Sequence, residues 1–207
     1  MSSGLGRRER KKLETRDRIV DCAAALFAGG GYDSTTMDDI ADCADVARAT
    51  VFNYFSRKED LVLAWFDRHR GELAEVFAES VGPATDTSGR LRHGFRAIAR
   101  FFTHDPATGR AMVRAWVRAG GPLLTPESET PHMFAGMIRS GQREGDVAAD
   151  IDPDRAGLVL FDAYLGVLYR WVNEEDDQFP FEQNLIAALD ILLAGITGQY
   201  PPAGHVD

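Results

Sequence analysis

The sequence predicts an all-α protein: an N-terminal three-helix helix-turn-helix head joined by a long helix to a C-terminal helical body. Three observations carry this. Apolar residues recur three and four positions apart along most of the chain, clusters of glycine and proline cut it into helix-length segments, and no segment shows the period-two alternation of a half-buried strand. With 207 residues, 44% of them hydrophobic, the chain is long enough to bury a substantial core in one domain or two modest ones.

Residues 1–12 read as a disordered basic arm, Ser/Gly-rich to Gly6 and then basic from Arg7 to Lys12. The first helix is expected over Glu14 to Ala28, with Ile19, Cys22, Ala23, Leu26 and Phe27 as its stripe. Gly29-Gly30-Gly31 ends it. With no preceding strand and no Lys-Ser/Thr at Walker spacing, that triplet is a helix stop and not a phosphate cradle. Behind Thr36, a hydroxyl residue suited to accept orphan N–H groups, Met37, Ile40, Ala41 and Ala44 repeat at helical spacing. Asp45 can visit the left-handed region where a helix ends, and Val46 supplies an apolar plug. Val51 and Phe55, four apart, then give a second short helix its buried face. Its other side offers Arg48, Ala49, Thr50, Asn53 and Tyr54, the guanidinium, small, hydroxyl and amide groups that suit base edges and phosphates. Residues 36–55 therefore read as a helix-turn-helix inside a head spanning 13–73.

The remaining residues, 74–207, form the body. A long helix from Lys58 to about Glu79, with Leu61, Ala64, Trp65, Leu73, Val76 and Phe77 inward, links it to the head. After a break at Gly82-Pro83, a helix is expected over Arg90 to His104, striped by Leu91, Phe95, Ile98, Phe101 and Phe102. Pro106 and Gly109 punctuate the chain again. Met112, Val113, Trp116 and Val117 mark the next helix, and Met133 to Arg143 the one after it, with Phe134, Met137 and Ile138 on its stripe. Two helices close the chain, from Pro153 to about Glu174 and from Phe181 to about Thr197.

Net charge is −9, which by itself argues against nucleic acid, but its distribution is lopsided. Residues 1–18 hold seven bases against three acids, whereas residues 61–207 hold 13 bases against 21 acids. Attraction to phosphate is thus concentrated at the N-terminal end, and the acidic body limits indiscriminate binding. Two cysteines without a pairing pattern, and no signal peptide, read as a reduced cytoplasmic protein. Cys22 and Cys43 recur on apolar faces as core residues, with a redox sensor as the competing reading. No apolar stretch nears the ~20 residues of a membrane span. The five histidines show no metal-ligand spacing, no cofactor fingerprint is present, and nucleophile elbow, Walker loop and His-Glu metal motif are all lacking, which argues against an enzyme.

Leu26-Phe27, Gly31-Tyr32, Thr35-Thr36-Met37, Ile40-Ala41, Ala44, Val46, Thr50, Asn53-Tyr54-Phe55, Lys58 and Leu61 together resemble the N-terminal pattern of the TetR/AcrR family of transcriptional regulators, over Leu13 to Arg70. The chain departs from that pattern at Asp45 in the inter-helix turn, usually glycine, at Ala47 in place of the Ser/Thr cap, and at Phe52, commonly tyrosine. The resemblance implies a homodimeric repressor, released from an inverted-repeat operator in double-stranded DNA by a small-molecule effector.

Within that frame Arg48 is expected at a guanine edge or a phosphate, and Thr50 at a thymine methyl or a phosphate. Ala49 allows close approach, Asn53 and Tyr54 clamp the backbone, and Lys58 and the helix start at Thr36 meet phosphates. Phe101, Phe102, Met112, Trp116, Met133, Phe134, Met137, Phe161 and Tyr164 suit a cavity for an apolar or aromatic effector, although the same spacing also suits plain core. Leu158, Leu165, Trp171, Leu185, Leu189 and Leu192, on the closing pair of helices, are the expected dimer interface. The rival reading is a helical interaction protein whose basic arm meets acidic partners or lipid, without sequence-specific DNA binding.

Overall fold

The computed structural model describes residues 6–79, 86–119, 129–174 and 179–196, and the side chains of 72–79, 129 and 196 lie outside the described set. The inward placement expected for Leu73, Val76 and Phe77 therefore falls outside it. Among the described residues every regular element is a helix: α1 (Arg7–Gly30), α2 (Met37–Cys43), α3 (Arg48–Tyr54), α4 (Lys58–Glu79), α5 (Thr87–His104), α6 (Pro106–Arg118), α7 (Glu129–Glu144), α8 (Pro153–Asn173) and α9 (Phe181–Ile196).

Two expectations need correction. The basic run Arg7–Lys12 is helical and continuous with α1, not a disordered arm. Arg, Lys and Glu are good helix formers, and the Glu9 carboxylate turns back to accept from the Gly6 N–H. Pro106, read as punctuation, starts a helix instead. It occupies the first turn of α6, where its missing N–H costs nothing, and the Asp105 carboxylate caps the turn by accepting from the Thr108 N–H. Asp152 and Pro153 repeat the device at the start of α8.

The helices group into two units. The first comprises Met1–Gly71 with Asp105–Pro122, so that α6 joins α1, α2, α3 and the beginning of α4. Ile19, Val20, Ala23, Phe27, Ile40, Ala41, Val51, Phe55 and Leu61 are its buried residues, and α6 lies along α1. The second comprises Glu72–His104 with Leu123–Asp207. Its most extensive pairing is α7 on α8, and α9 packs on both α5 and α8. Close approach of α7 and α8 is possible because Gly157 has no Cβ: one built there would collide with the Pro131 carbonyl oxygen and come within 2.9 Å of the Ala135 nitrogen.

One charge is buried in the second unit. Arg90 is 4% exposed and bonds the Thr87 hydroxyl and the Glu144 carboxylate, each at 2.8 Å. Asp146 in turn accepts from the Thr87 N–H and hydroxyl, tying the start of α5 to the end of α7. Hydrogen bonds from Arg90 and then Ser140 hold the Glu144 carboxyl below the usual carboxylate range.

Candidate nucleic-acid interface

Local chemistry sets the geometry of α2, the turn and α3. Thr36 caps α2: its hydroxyl accepts from the Asp39 N–H at 3.1 Å, while Asp39 accepts from the Thr36 N–H at 2.8 Å and hydroxyl at 2.7 Å. The Thr36 side-chain bond, then its backbone bond, lowers the Asp39 pKa. At the other end the Asp45 N–H reaches Asp42 O and the Val46 N–H reaches Ala41 O, with Asp45 at φ +50°. This is the paired closure of a Schellman motif, and Asp supplies the left-handed residue that glycine would supply without strain. Arg18, on α1, donates to Ala44 O at 2.9 Å and satisfies one more carbonyl at the same terminus.

The start of α3 is less well served. Ala47 occupies the cap position in extended conformation and offers no side-chain acceptor. Ala47→Ser therefore raises stability by about 1 kcal/mol, seen as a melting temperature roughly 2–4 °C higher; an unchanged or lower value would argue against this placement of the cap.

On α3 itself Val51 is buried, whereas Arg48, Ala49, Phe52 and Asn53 share an exposed face and Thr50 and Tyr54 border it at intermediate exposure. The structure thus brings together the five residues expected to read DNA from α3. Arg48 is already held. Its Nε bonds Asp38 on α2 at 3.0 Å, and its guanidinium lies over the Phe52 ring, 5.4 Å from the centroid. Neither Asp38 nor the stacking role of Phe52 was singled out from sequence, because the pairing joins two helices and leaves no mark on either one's periodicity.

Lys58 has an internal role that the sequence did not reveal. Its ammonium donates to Tyr32 O at 2.6 Å and Thr35 O at 2.8 Å, and it lies 4.5 Å from the Tyr32 ring centroid. It latches the segment leading into α2 onto the start of α4. Burial, followed by the nearby Glu59 carboxylate, pushes the Tyr32 hydroxyl up to about 12. Asp60 accepts from the Ser56 and Arg57 N–H groups and completes the N-terminus of α4.

Cys22 is half-buried and adjoins Cys43; burial first, then that thiol, pushes its pKa up to about 12, which leaves it protonated and a poor nucleophile at neutral pH. Cys43 is exposed, contrary to its reading as core.

The residues expected to line an effector cavity are divided. Met112 and Trp116 belong to the first unit on α6, where Met112 is buried and Trp116 lies 5.3 Å from Phe66. The second unit holds the others. Phe134 is fully buried 5.2 Å from Phe95, and Phe102 packs on Phe101, Trp171 and Phe181. Phe161 is buried beside Tyr164, whose hydroxyl burial shifts well above its ordinary value, while Met133 and Met137 are half-buried. Several of these rings therefore fill the unit's own core.

The expected dimer residues need a sharper correction. Leu185 and Leu189 are fully buried, and Trp171 and Leu165 are only 2% and 8% exposed, so they face their own protomer. Leu158 remains available at 46%, Leu192 is half-buried, and Val159, Tyr169 and Ile191 are exposed beside them on the same two helices. A helical stripe shows that a face is apolar but not which neighbour it meets.

A capped helix, a left-handed turn and a short second helix with an exposed Arg-Ala-Thr-Asn face define the chain as a helix-turn-helix protein. Residues 19–65 match the model for bacterial regulatory proteins of the tetR family. The chain is 26% identical over 181 residues to the HTH-type transcriptional repressor KstR of Mycobacterium tuberculosis, covering 87% of this chain and 81% of the relative. It is 28% identical over 194 residues to the putative mycofactocin biosynthesis regulator MftR of the same organism, covering 90% and 93%. Among solved structures it resembles the Thermus thermophilus repressor FadR, crystallised with lauroyl-CoA, with a TM-score of 0.66, 26% identity and coverage of 91% and 98%. The chain is a TetR-family transcriptional regulator. No helix among the described residues is long and apolar enough to cross a membrane.

Proposed function

We propose that this regulator is a repressor that binds an inverted-repeat operator as a homodimer and is released by a small apolar or aromatic effector. The exposed face of α3 carries the reading: Arg48 addresses a base edge, Ala49 and Thr50 allow close approach, and Asn53 and Tyr54 clamp the backbone. Lys58 acts on phosphate contacts by fixing the start of α2. The alternative of a basic arm binding acidic partners or lipid is disfavoured, because the basic run is the first part of α1 and the α2–α3 pair is built for a groove.

The second unit, rich in aromatic and methionine side chains, is the effector site in this reading, and Thermus FadR carries lauroyl-CoA. An effector that favours one conformation weakens DNA binding by the factor by which DNA weakens effector binding. Footprinting of inverted repeats flanking the coding region, followed by calorimetric titration of a bound effector with and without operator, tests the scheme. Protection of two half-sites about one helical turn apart supports it. Indifference to all duplex DNA at low salt refutes it.

A two-fold pairing through α8 and α9 would cover Leu158, Val159, Tyr169 and Ile191. Ile191, 73% exposed, is the most accessible of them. Ile191→Glu is expected to weaken the dimer by about tenfold or more, because it places a charge in an apolar contact. Light scattering across a dilution series reads this directly, and a mass unchanged from the parent at every dilution would move the interface elsewhere.

A further inference from the structure

Within the first unit a cleft of about 620 Å³ lies between the C-terminal end of α1 and α6. That volume falls in the range of small-molecule sites, roughly 300–1,000 Å³. Arg110, Arg114 and Arg118, four apart on α6, line it along one face of the helix. Among the lining residues a single carboxylate, Asp33, opposes them, and it pairs with Arg118 at 3.4 Å across a contact about two-thirds exposed on both sides. The carbonyls at the end of α1 are engaged locally: Phe27 O accepts from the Gly31 N–H, Gly30 O from the Ser34 hydroxyl, and Gly31 O from the Ser34 and Thr35 hydroxyls. The rest of the lining is apolar, with Phe27 set edge-on to Tyr32 at 5.1 Å and Ala111 and Ala115 beside them.

We propose that this cleft binds an amphipathic carboxylate, with its apolar tail on Phe27, Tyr32 and the α6 alanines and its carboxylate on the guanidinium row. An arginine fork suits a carboxylate, and the mixed lining rewards a ligand with both parts. A DNA phosphate is the weaker occupant, because the apolar side of the cleft offers it nothing. The site goes beyond the effector reading of the second unit. Tyr32 and Ser34 belong to the segment that Lys58 latches at Tyr32 O and Thr35 O, so an occupant bears directly on the approach to α2.

The test is a titration of the full-length ¹⁵N-labelled protein with sodium decanoate, followed by amide shifts. Saturable shifts at Gly30, Gly31 and Ser34 are expected, with affinity falling about tenfold in Arg114→Gln and less in Arg114→Lys. Arg114 is exposed, so neither change threatens the fold. The proposal is overturned if no saturable shift appears by about 1 mM. It is also overturned if shifts are confined to α7 and α8, an outcome that leaves the second-unit effector site standing. Decanoate binding unchanged in Arg114→Gln while duplex DNA binding weakens would assign the row to phosphate and likewise overturn it.

Discussion

Gly157→Leu is expected to destabilise the protein by about 3 kcal/mol, the upper part of the usual cost of overpacking. At roughly 2–4 °C per kcal/mol for a chain of this size, the melting temperature falls by roughly 6–12 °C. The cause is backbone: a Cβ at 157 meets the Pro131 carbonyl oxygen, the Ala135 nitrogen at 2.9 Å and the Ala135 Cβ at 3.1 Å. Neither backbone group can rotate away, so α7 and α8 must separate, and they form the most extensive pairing in the second unit. Gly157→Ala is the more discriminating variant. In an isolated helix it stabilises by about 1 kcal/mol, whereas here the collision outweighs that gain and the sign reverses. A circular-dichroism melt in which Gly157→Ala raised the melting temperature would refute the close approach.

Gly157 also shows where sequence reading stops. A lone glycine inside a helical pattern signals only lower propensity; its value as a docking point depends on Pro131 and Ala135, more than twenty residues away. By contrast the helix-turn-helix was legible because its determinants are local. Thr36 caps α2 through a residue three positions on, Asp45 takes the left-handed turn, and Val51 and Phe55 are buried one helical turn apart. The misread starts of α1 and α6 share a cause. A basic run can be a solvated helix as readily as a flexible arm, and a proline can open a helix as well as close one, which the preceding Asp105 decides.

Partner choice was the illegible part of the site. Apolar stripes identified α8 and α9 as well-covered helices, yet Leu185 and Leu189 turned out to face inward while Ile191 faces out. Lys58 was expected on a phosphate because it opens a helix near the reader, and nothing local disclosed that Tyr32 O and Thr35 O would claim its ammonium. Met112 and Trp116 looked continuous with the aromatic body, but the pairing of α6 with α1 places them in the reader's unit.

The largest functional effect is expected at Arg48. Arg48→Ala should cost about 1–3 kcal/mol at one operator position, roughly a 10- to 100-fold loss, and relax specificity there. The geometry explains how the side chain is readied for this task. Asp38 engages Nε at 3.0 Å, and Phe52 covers one face of the guanidinium, so the two terminal nitrogens remain to make a bidentate contact with guanine O6 and N7. With 67% and 55% of the two side chains exposed, the ion pair contributes little to folding, and its worth lies in orientation. Asp38→Asn separates the two effects. It removes a negative charge beside the phosphates, so affinity for random DNA rises, and it loosens the fork, so the ratio of operator to random affinity narrows. Both are read by fluorescence anisotropy on the two duplexes at fixed salt. If Arg48→Ala lost affinity equally on operator and random DNA, the residue would be a phosphate contact, and the ion pair with Asp38 would have no part in recognising sequence.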